Sequence, residues 1–183
     1  MDARETTISR LRQWFPQQAF EHGDMRHTPF ATASFDACIS WGTFEHFEAG
    51  LGGCLEEARR IIKPGGWLFL TVPFHNGRLM RRDAHPLEEW DEHFNPQTGY
   101  QQSQRFYQWR LTAPELNREL ELHGFRPDYI VPLHKDTGVG RWLQWHVGIR
   151  KGSFLYRAAV RACTPLMPSW YISHMIFAAA QHR

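Results

Sequence analysis

The stretch SWGTFEHFEAG, from Ser40 to Gly50, carries a hydroxyl, an indole, a glycine, a carboxylate and an imidazole within a few residues. It follows SFDACI, whose β-branched and aromatic content predicts a strand. Ligands of open α/β sheets bind at the carboxyl ends of strands, and a glycine there lets the backbone approach a ligand closely. We therefore expect Ser40, Trp41 and Gly42 to contact a ligand. The alternative is a polar loop that contains aromatic residues.

Two histidines are candidates for acid–base chemistry. His46 lies in that stretch, and His75 follows the apolar run WLFLTVP. Because an imidazole titrates near neutral pH, either side chain can orient a substrate or accept a proton from it. The alternatives are that His46 caps the next helix or makes a structural hydrogen bond, and that His75 is an exposed loop residue.

The run RRDAHPLEEWDEHFN contains several side chains that can bind metal ions: Asp83, His85, Asp91, Glu92 and His93. Their spacing matches no closed zinc pattern, and such a charged run is more simply a solvated lid. We therefore expect no metal site there.

The elements that position these residues alternate between helix and strand. Apolar residues at i, i+3, i+4 and i+7 predict a helix over residues 51–62, with Glu56 and Arg60 paired on its exposed side. The sequence KPGG ends this helix with a glycine of positive φ. WLFLTVP follows as a continuous apolar strand, which predicts helices on both faces of a mainly parallel sheet.

Weaker patterns extend the same alternation. Helical spacing predicts a short helix from Arg4 to Phe15, preceded by a capping box of Asp2 and Glu5, and QAFEH predicts a strand after it. A second capping box opens a helix at Thr112, and DYIVPL and HMIFAAAQ predict the last two strands. The sequence therefore predicts an α/β fold with one domain over residues 1–183.

Two insertions interrupt the alternation, at about residues 74–110 and 134–173, and we expect them to form lids or substrate walls. The second contains KGSFLYRAAVRAC, which predicts a helix that covers the sheet or a neighbouring chain. Its expected apolar side consists of Phe154, Leu155, Ala158 and Ala162.

Composition limits the partners and the compartment. The formal charge of +2 gives no argument for nucleic acid or an anionic membrane. The three cysteines are odd in number and lack CxxC spacing, which favours a reduced, cytoplasmic chain. No stretch approaches the roughly 18 apolar residues that span a bilayer, and no signal peptide is apparent, so we expect neither membrane insertion nor secretion.

Taken in order, HGDM, PF…SFD, EH and KPGG resemble the small-molecule type of class I S-adenosylmethionine-dependent methyltransferases. The resemblance implies a Rossmann-like, mainly parallel sheet in the order 3-2-1-4-5-7-6, with strand 7 antiparallel. QAFEH then corresponds to strand 3, FDACISW to strand 4, WLFLTVP to strand 5, DYIVPL to strand 6 and HMIFAAAQ to strand 7. It also implies S-adenosyl-L-methionine as cofactor and in-line methyl transfer to a small-molecule acceptor, held between the ends of strands 4 and 5 and the two insertions.

The resemblance further implies six cofactor-binding residues: Asp2, Asp24, Met25, Ser40, Trp41 and Gly42. Asp24 would accept from the adenine amino group, Met25 would lie along the ring, and Asp2 would bind the ribose. The alternatives are local: Asp24 can satisfy the backbone of a turn, and Asp2 can cap a helix. His46 and His75 would matter as bases for a hydroxyl acceptor, since placement supplies most of the acceleration for an electron-rich nucleophile.

The sequence departs from the family pattern at its start, where strand 1 and its glycine-rich loop would precede the first helix. We expect the chain as given to lack this N-terminal part, to bind the cofactor poorly and to expose an apolar edge of strand 4. Missing sequence, a rearrangement or a partner such as a second copy would cover that edge. The alternative function is a non-catalytic binding or dimerisation module. A nicotinamide-dependent oxidoreductase is disfavoured because GxGxxG is absent.

Overall fold

A four-stranded mixed sheet forms the centre of the molecule in the computed structural model, which describes residues 1–84, 94–95, 100–101 and 108–183. The strands of this sheet are β1 (Phe35–Trp41), β2 (Ile62–Pro73), β5 (Phe125–Leu133) and β6 (Met175–His182). A separate short antiparallel pair is formed by β3 (Phe94–Asn95) and β4 (Tyr100–Gln101).

The order of the main sheet is β1-β2-β6-β5. Strands β1 and β2 are parallel, and β6 is antiparallel to both of its neighbours, β2 and β5. This is the order 4-5-7-6 that the family resemblance implies, with the last strand antiparallel. The predicted α/β, Rossmann-like fold class is therefore confirmed.

Seven helices connect and flank the strands in the described part of the chain: α1 (Glu5–Trp14), α2 (Gly52–Ile61), α3 (Gly77–Ala84), α4 (Ala113–Leu122), α5 (Lys135–Trp142), α6 (Phe154–Cys163) and α7 (Ser169–Ile172). A 3-10 helix at Phe44–His46 follows β1, and a π-helical turn at Leu143–Val147 follows α5. None of the described helices combines the length and the apolar character needed to cross a membrane.

The strongest local patterns are confirmed. The apolar stripe of α2 is buried, from Leu51 to Ile62. Gly65 in KPGG has a φ of +79°, as a turn-forming glycine there requires, although β2 already begins at Ile62. The capping box of α4 forms between Thr112 and Glu115.

Three local predictions are wrong. QAFEH forms no strand, since its one backbone bridge among the described residues is the isolated parallel pair of His22 and Asp2. Asp2 and Glu5 form no capping box, since α1 begins after Arg4, whose N–H donates to Asp2 Oδ1 at 2.7 Å. On α2, Arg60 pairs with Glu57 instead of Glu56.

The main core lies on the face of the sheet that α2 and α4 cover, and it includes Leu68, Leu70 and Ile176 from the central strands. A smaller core of Val139, Leu143 and Ile172 joins α5 to the segments around it. Helix α6 packs on this second core through other residues than the predicted ones: Ala159, Val160 and Cys163 contact it. The predicted apolar side is exposed instead, at Phe154, Leu155, Ala158 and Ala162.

Candidate functional site

The carboxyl ends of β1, β2 and β5 lie at the same edge of the sheet, because these three strands run in the same direction. The segments that leave this edge are the 3-10 helix at Phe44–His46, the turn at His75 and Asn76, and His134 before α5. Side chains that follow parallel strands meet at such an edge, which is where open α/β sheets bind ligands.

The exit from β1 carries three of the predicted cofactor residues. Ser40 is 6% exposed, and its Oγ has no hydrogen-bond partner among the described residues. Gly42 has a φ of +67°, a conformation that favours glycine, and its N–H donates to the carbonyl of Thr71 at 3.2 Å. Trp41 is 59% exposed, and its ring meets that of His134 edge to face at 6.4 Å.

A cavity of about 400 Å³ lies beside β1, between that strand, α2 and the segment that contains Met25. Met25 and Ser40 both line it, so the structure brings these two predicted residues together. Asp24, Trp41 and Gly42 are adjacent to them in sequence and do not line the cavity. Its remaining described lining is largely apolar and includes Phe30, Phe44 and Cys54.

Asp24 makes the local contacts that the alternative interpretation predicts. It accepts from the backbone N–H of Arg26 at 2.9 Å and from the guanidinium of the same residue at 2.6 Å. These hydrogen bonds and the charge of Arg26 lower the pKa of Asp24 to about 2. The carboxylate is therefore ionised, and an adenine amino group would share it with Arg26.

Asp2 lies next to this turn, because its carbonyl accepts from the N–H of Gly23 at 3.1 Å. Its carboxylate also has a local partner, the N–H of Arg4. The structure thus brings Asp2 and Asp24 to one end of the same segment, each with a local hydrogen bond.

The two candidate histidines connect to one segment, Trp109–Leu111. His46 is exposed at the end of its 3-10 helix, and the N–H of Trp109 donates to the carbonyl of the preceding Glu45 at 2.8 Å. His75 is 5% exposed, and its N–H donates to the carbonyl of Leu111 at 2.9 Å. The alternative that His75 is an exposed loop residue is therefore wrong.

Glu45 is a further candidate site residue, which the sequence analysis did not single out. It is 2% exposed, and burial raises its pKa to about 7, although its own backbone N–H and the charge of His46 oppose the shift. Its Oε2 has no hydrogen-bond partner among the described residues. The only sequence signal was its place in the EH pair, where the imidazole is the more familiar proton acceptor.

A larger cavity of about 900 Å³ lies near the ends of β2 and β5, and most of its described lining belongs to the segment 134–173. It contains several cationic side chains that sequence reasoning did not single out, because they are distant from one another in the chain. The candidate metal ligands His85, Asp91, Glu92 and His93, and the side chain of Asp83, lie outside the described residues.

Comparison with known proteins finds similarity to methyltransferases. A family described as "Methyltransferase domain" matches residues 1–70. A "Probable S-adenosylmethionine-dependent methyltransferase" of Mycolicibacterium smegmatis is 25% identical over 148 residues, which cover 81% of this chain and 51% of that protein. The chain thus spans about half the length of this curated relative.

Solved structures share the fold. A methyltransferase of Methanosarcina mazei matches with a TM-score of 0.61 at 17% identity, over 99% of this chain and 79% of that one. The geranyl diphosphate C-methyltransferase of Streptomyces coelicolor, solved with S-adenosyl-L-homocysteine, matches with a TM-score of 0.56 at 15% identity, over 96% and 57%. Together with the strand order, these similarities show that the chain has the fold of the class I S-adenosylmethionine-dependent methyltransferases.

Proposed function

We propose that this protein transfers a methyl group from S-adenosyl-L-methionine to a small-molecule acceptor by in-line displacement. The observation that supports this most directly is that Met25 and Ser40 line one cavity at the end of β1, where the buried Ser40 hydroxyl has no hydrogen-bond partner within the described part of the chain. A buried hydroxyl without a partner costs free energy, which a ligand with a hydrogen-bonding group can recover. The apolar walls of the same cavity suit a flat heterocycle.

The residues at this edge have distinct roles in the proposal. When bound, S-adenosyl-L-methionine supplies an electrophilic methyl group on a sulfonium. Ser40 and the backbone at Gly42 hold the nucleoside part, Met25 packs against the base, and Trp41 covers the exposed side. Asp24 and Asp2 contribute hydrogen-bond acceptors at the far end. His46 or His75 takes the proton of an acceptor that must lose one.

Titration with S-adenosyl-L-homocysteine tests the proposal without knowledge of the acceptor. We expect weak binding by calorimetry, and Ser40→Ala should weaken it further, by about threefold to tenfold, as the loss of one hydrogen bond does. Ser34→Ala is the matched control, because the Ser34 hydroxyl donates to Ala31 just before β1 and does not line the cavity. Equal affinities for the two variants would contradict the assignment of Ser40.

A pH profile separates the two histidines once an acceptor is available. His46→Gln or His75→Gln should remove the acidic limb of the rate profile if that imidazole is the base. The same substitution should leave the affinity for S-adenosyl-L-homocysteine unchanged. A loss of rate with an unchanged profile would assign the residue to structure instead.

A second candidate function is a dimerisation or binding module, and the outer face of β1 favours it. Ile39 is 71% exposed and Trp41 59% exposed on a strand that pairs with β2 alone among the described strands. We propose that a second copy covers this edge, since exposed apolar edge strands pair readily. Light scattering should then show a dimer that Ile39→Lys dissociates. A monomeric wild-type chain would contradict this proposal.

The free state of the cysteines supports the cytoplasmic location that we propose with this function. Cys38, Cys54 and Cys163 form no disulfide in the structure. Thiols of this kind persist in reducing compartments.

A further inference from the structure

The larger cavity, of about 900 Å³, is lined by residues of the two insertions that we expect to form substrate walls. Trp41 at the end of β1 contacts the ring of His134, whose carbonyl accepts from the N–H of His174 at 3.4 Å. His174 in turn accepts from Arg141, which lines the cavity. A short path of contacts therefore connects the predicted cofactor edge to this cavity.

The described lining of the cavity is rich in positive charge. It contains Arg78, Arg110, Arg141 and Lys151, and Asp136 is the only carboxylate among its described lining residues. These cations come from four separate places in the chain, so their convergence is a property of the fold. Neither Arg141 nor Lys151 forms an ion pair with a carboxylate within residues 1–84 and 108–183.

Imidazole nitrogens lie beside two of the arginines. Arg141 Nη1 lies 3.3 Å from Nδ1 of His174, and Arg78 Nη1 lies 3.4 Å from Nε2 of His146. Because a guanidinium only donates, each imidazole nitrogen acts as the acceptor. Burial, followed by the charges of Arg141, Arg110 and His134, lowers the pKa of His174 to about 4, so it stays neutral at physiological pH. The histidine thus positions Arg141 without cancelling its charge.

The chemistry of the walls indicates the ligand. Clustered arginines and a lysine bind multiply charged oxyanions through charge-assisted hydrogen bonds. Tyr156, Gln144 and Thr137 add uncharged polar groups to the same cavity, and Trp145 and Val160 add apolar surface. The volume exceeds that of a simple anion, which leaves room for an organic part.

We propose that this cavity binds the methyl acceptor through a phosphate or diphosphate group, held by Arg141, Lys151 and Arg110. The identification of the ligand as the methyl acceptor rests on the proposed function. The binding of the anion itself does not depend on methyl transfer. A phosphate fixed here would direct the organic part of the molecule toward His134 and Trp41, where the cofactor edge lies. The acceptor class is therefore a small organic phosphate.

Titration of the full chain with inorganic pyrophosphate tests the site directly, by calorimetry in a low-salt buffer free of phosphate. We expect Arg141→Gln and Lys151→Gln each to weaken pyrophosphate binding about tenfold or more, as the loss of a charged hydrogen-bond donor does. Arg150→Gln is the control, since it removes a neighbouring exposed charge that does not line the cavity. It should change the affinity by less than about twofold if the effect is local.

Parallel titrations with inorganic phosphate and succinate distinguish the anion classes. Pyrophosphate that binds more tightly than succinate supports the assignment, and succinate that binds equally tightly overturns it. Absence of pyrophosphate binding, or an equal loss in Arg150→Gln, also overturns it. Lys151 is exposed, so its variant remains informative even where Arg141→Gln unfolds. The pyrophosphate titration contains no cofactor. A failure to bind pyrophosphate and a failure to bind S-adenosyl-L-homocysteine are therefore separate results.

Discussion

Glu57 accepts hydrogen bonds from both the backbone N–H and the hydroxyl of Thr28, at 2.7 and 2.6 Å. Arg60 completes the arrangement by donating to both carboxylate oxygens of Glu57. This buried carboxylate attaches the segment that carries Asp24 and Met25 to helix α2. It therefore fixes one wall of the smaller cavity relative to β1.

Glu57→Gln should destabilise the fold by about 2 to 3 kcal/mol at pH 7. Arg60 first, and then Thr28, lower the pKa of Glu57 from 4.5 to about 2, so its contribution is present above pH 4.5 and is lost as the pH falls toward 2. Urea unfolding at pH 7 and pH 3 measures this difference. Glu56→Gln, at the exposed neighbouring position, should change little at either pH.

Glu45→Gln should have the opposite dependence on pH. Burial raises the pKa of Glu45 from 4.5 to about 7, so its contribution to stability is fully present below pH 4.5 and is lost as the pH rises through 7. The free energy of unfolding of the variant should equal that of wild type near pH 4 and exceed it by up to about 3 kcal/mol at pH 8.

The control for Glu45 is Glu48→Gln, an exposed carboxylate in the following loop. Its unfolding free energy should follow that of wild type across the same pH range. A difference between Glu45→Gln and wild type that is constant with pH would contradict the raised pKa.

Gly42→Ala should weaken the binding of S-adenosyl-L-homocysteine more than its cost in folding stability explains. Gly42 and Gly148 have similar φ values, +67° and +75°, so alanine should cost about 1 kcal/mol of folding free energy at either position. An added methyl at Gly42 makes ordinary contacts, 3.4 Å from Glu45 Oε1, and at Gly148 it meets nothing within 4 Å. We therefore expect similar thermal unfolding but weaker binding in Gly42→Ala alone. Equal affinities would place the ligand away from this backbone.

The elements that the sequence predicts well are those whose signals are local. The stripe of α2, the positive φ at Gly65 and the capping box at Thr112 each need only a few neighbouring residues, and the structure confirms all three. Strand order follows from the family resemblance. The turn at Asp24 and the exit at Ser40 were likewise accessible from motif order.

Features that depend on tertiary contacts were not predictable in this way. Arg60 pairs with Glu57 because Thr28 also binds that carboxylate, 29 residues earlier in the chain, and helical spacing alone equally permits Glu56. The buried face of α6 is set by α5 and not by the sheet, so the apolar periodicity of the helix predicted the wrong buried side. The cationic cavity has no sequence signature, since its arginines meet only in the fold.

Two glycines in α5 should respond very differently to alanine. A Cβ at Gly138 would collide with the backbone carbonyl of Ile172, whereas a Cβ at Gly140 would meet the hydroxyl of Tyr156 at the end of a side chain. A backbone carbonyl cannot move without shifting α7, but a tyrosine side chain can rotate. Helix propensity favours alanine over glycine by about 1 kcal/mol at both positions, so only local space separates them.

We therefore expect Gly138→Ala to lower the free energy of unfolding by 2 kcal/mol or more, as overpacking of a tight contact does, and Gly140→Ala to change it by about 1 kcal/mol or less. Urea denaturation of both variants measures the difference. Because Tyr156 lines the cationic cavity, Gly140→Ala should alter pyrophosphate affinity while the fold stays intact. Equal destabilisation by the two substitutions would show that α7 adjusts as readily as a single side chain, and would contradict the close packing of α5 on Ile172.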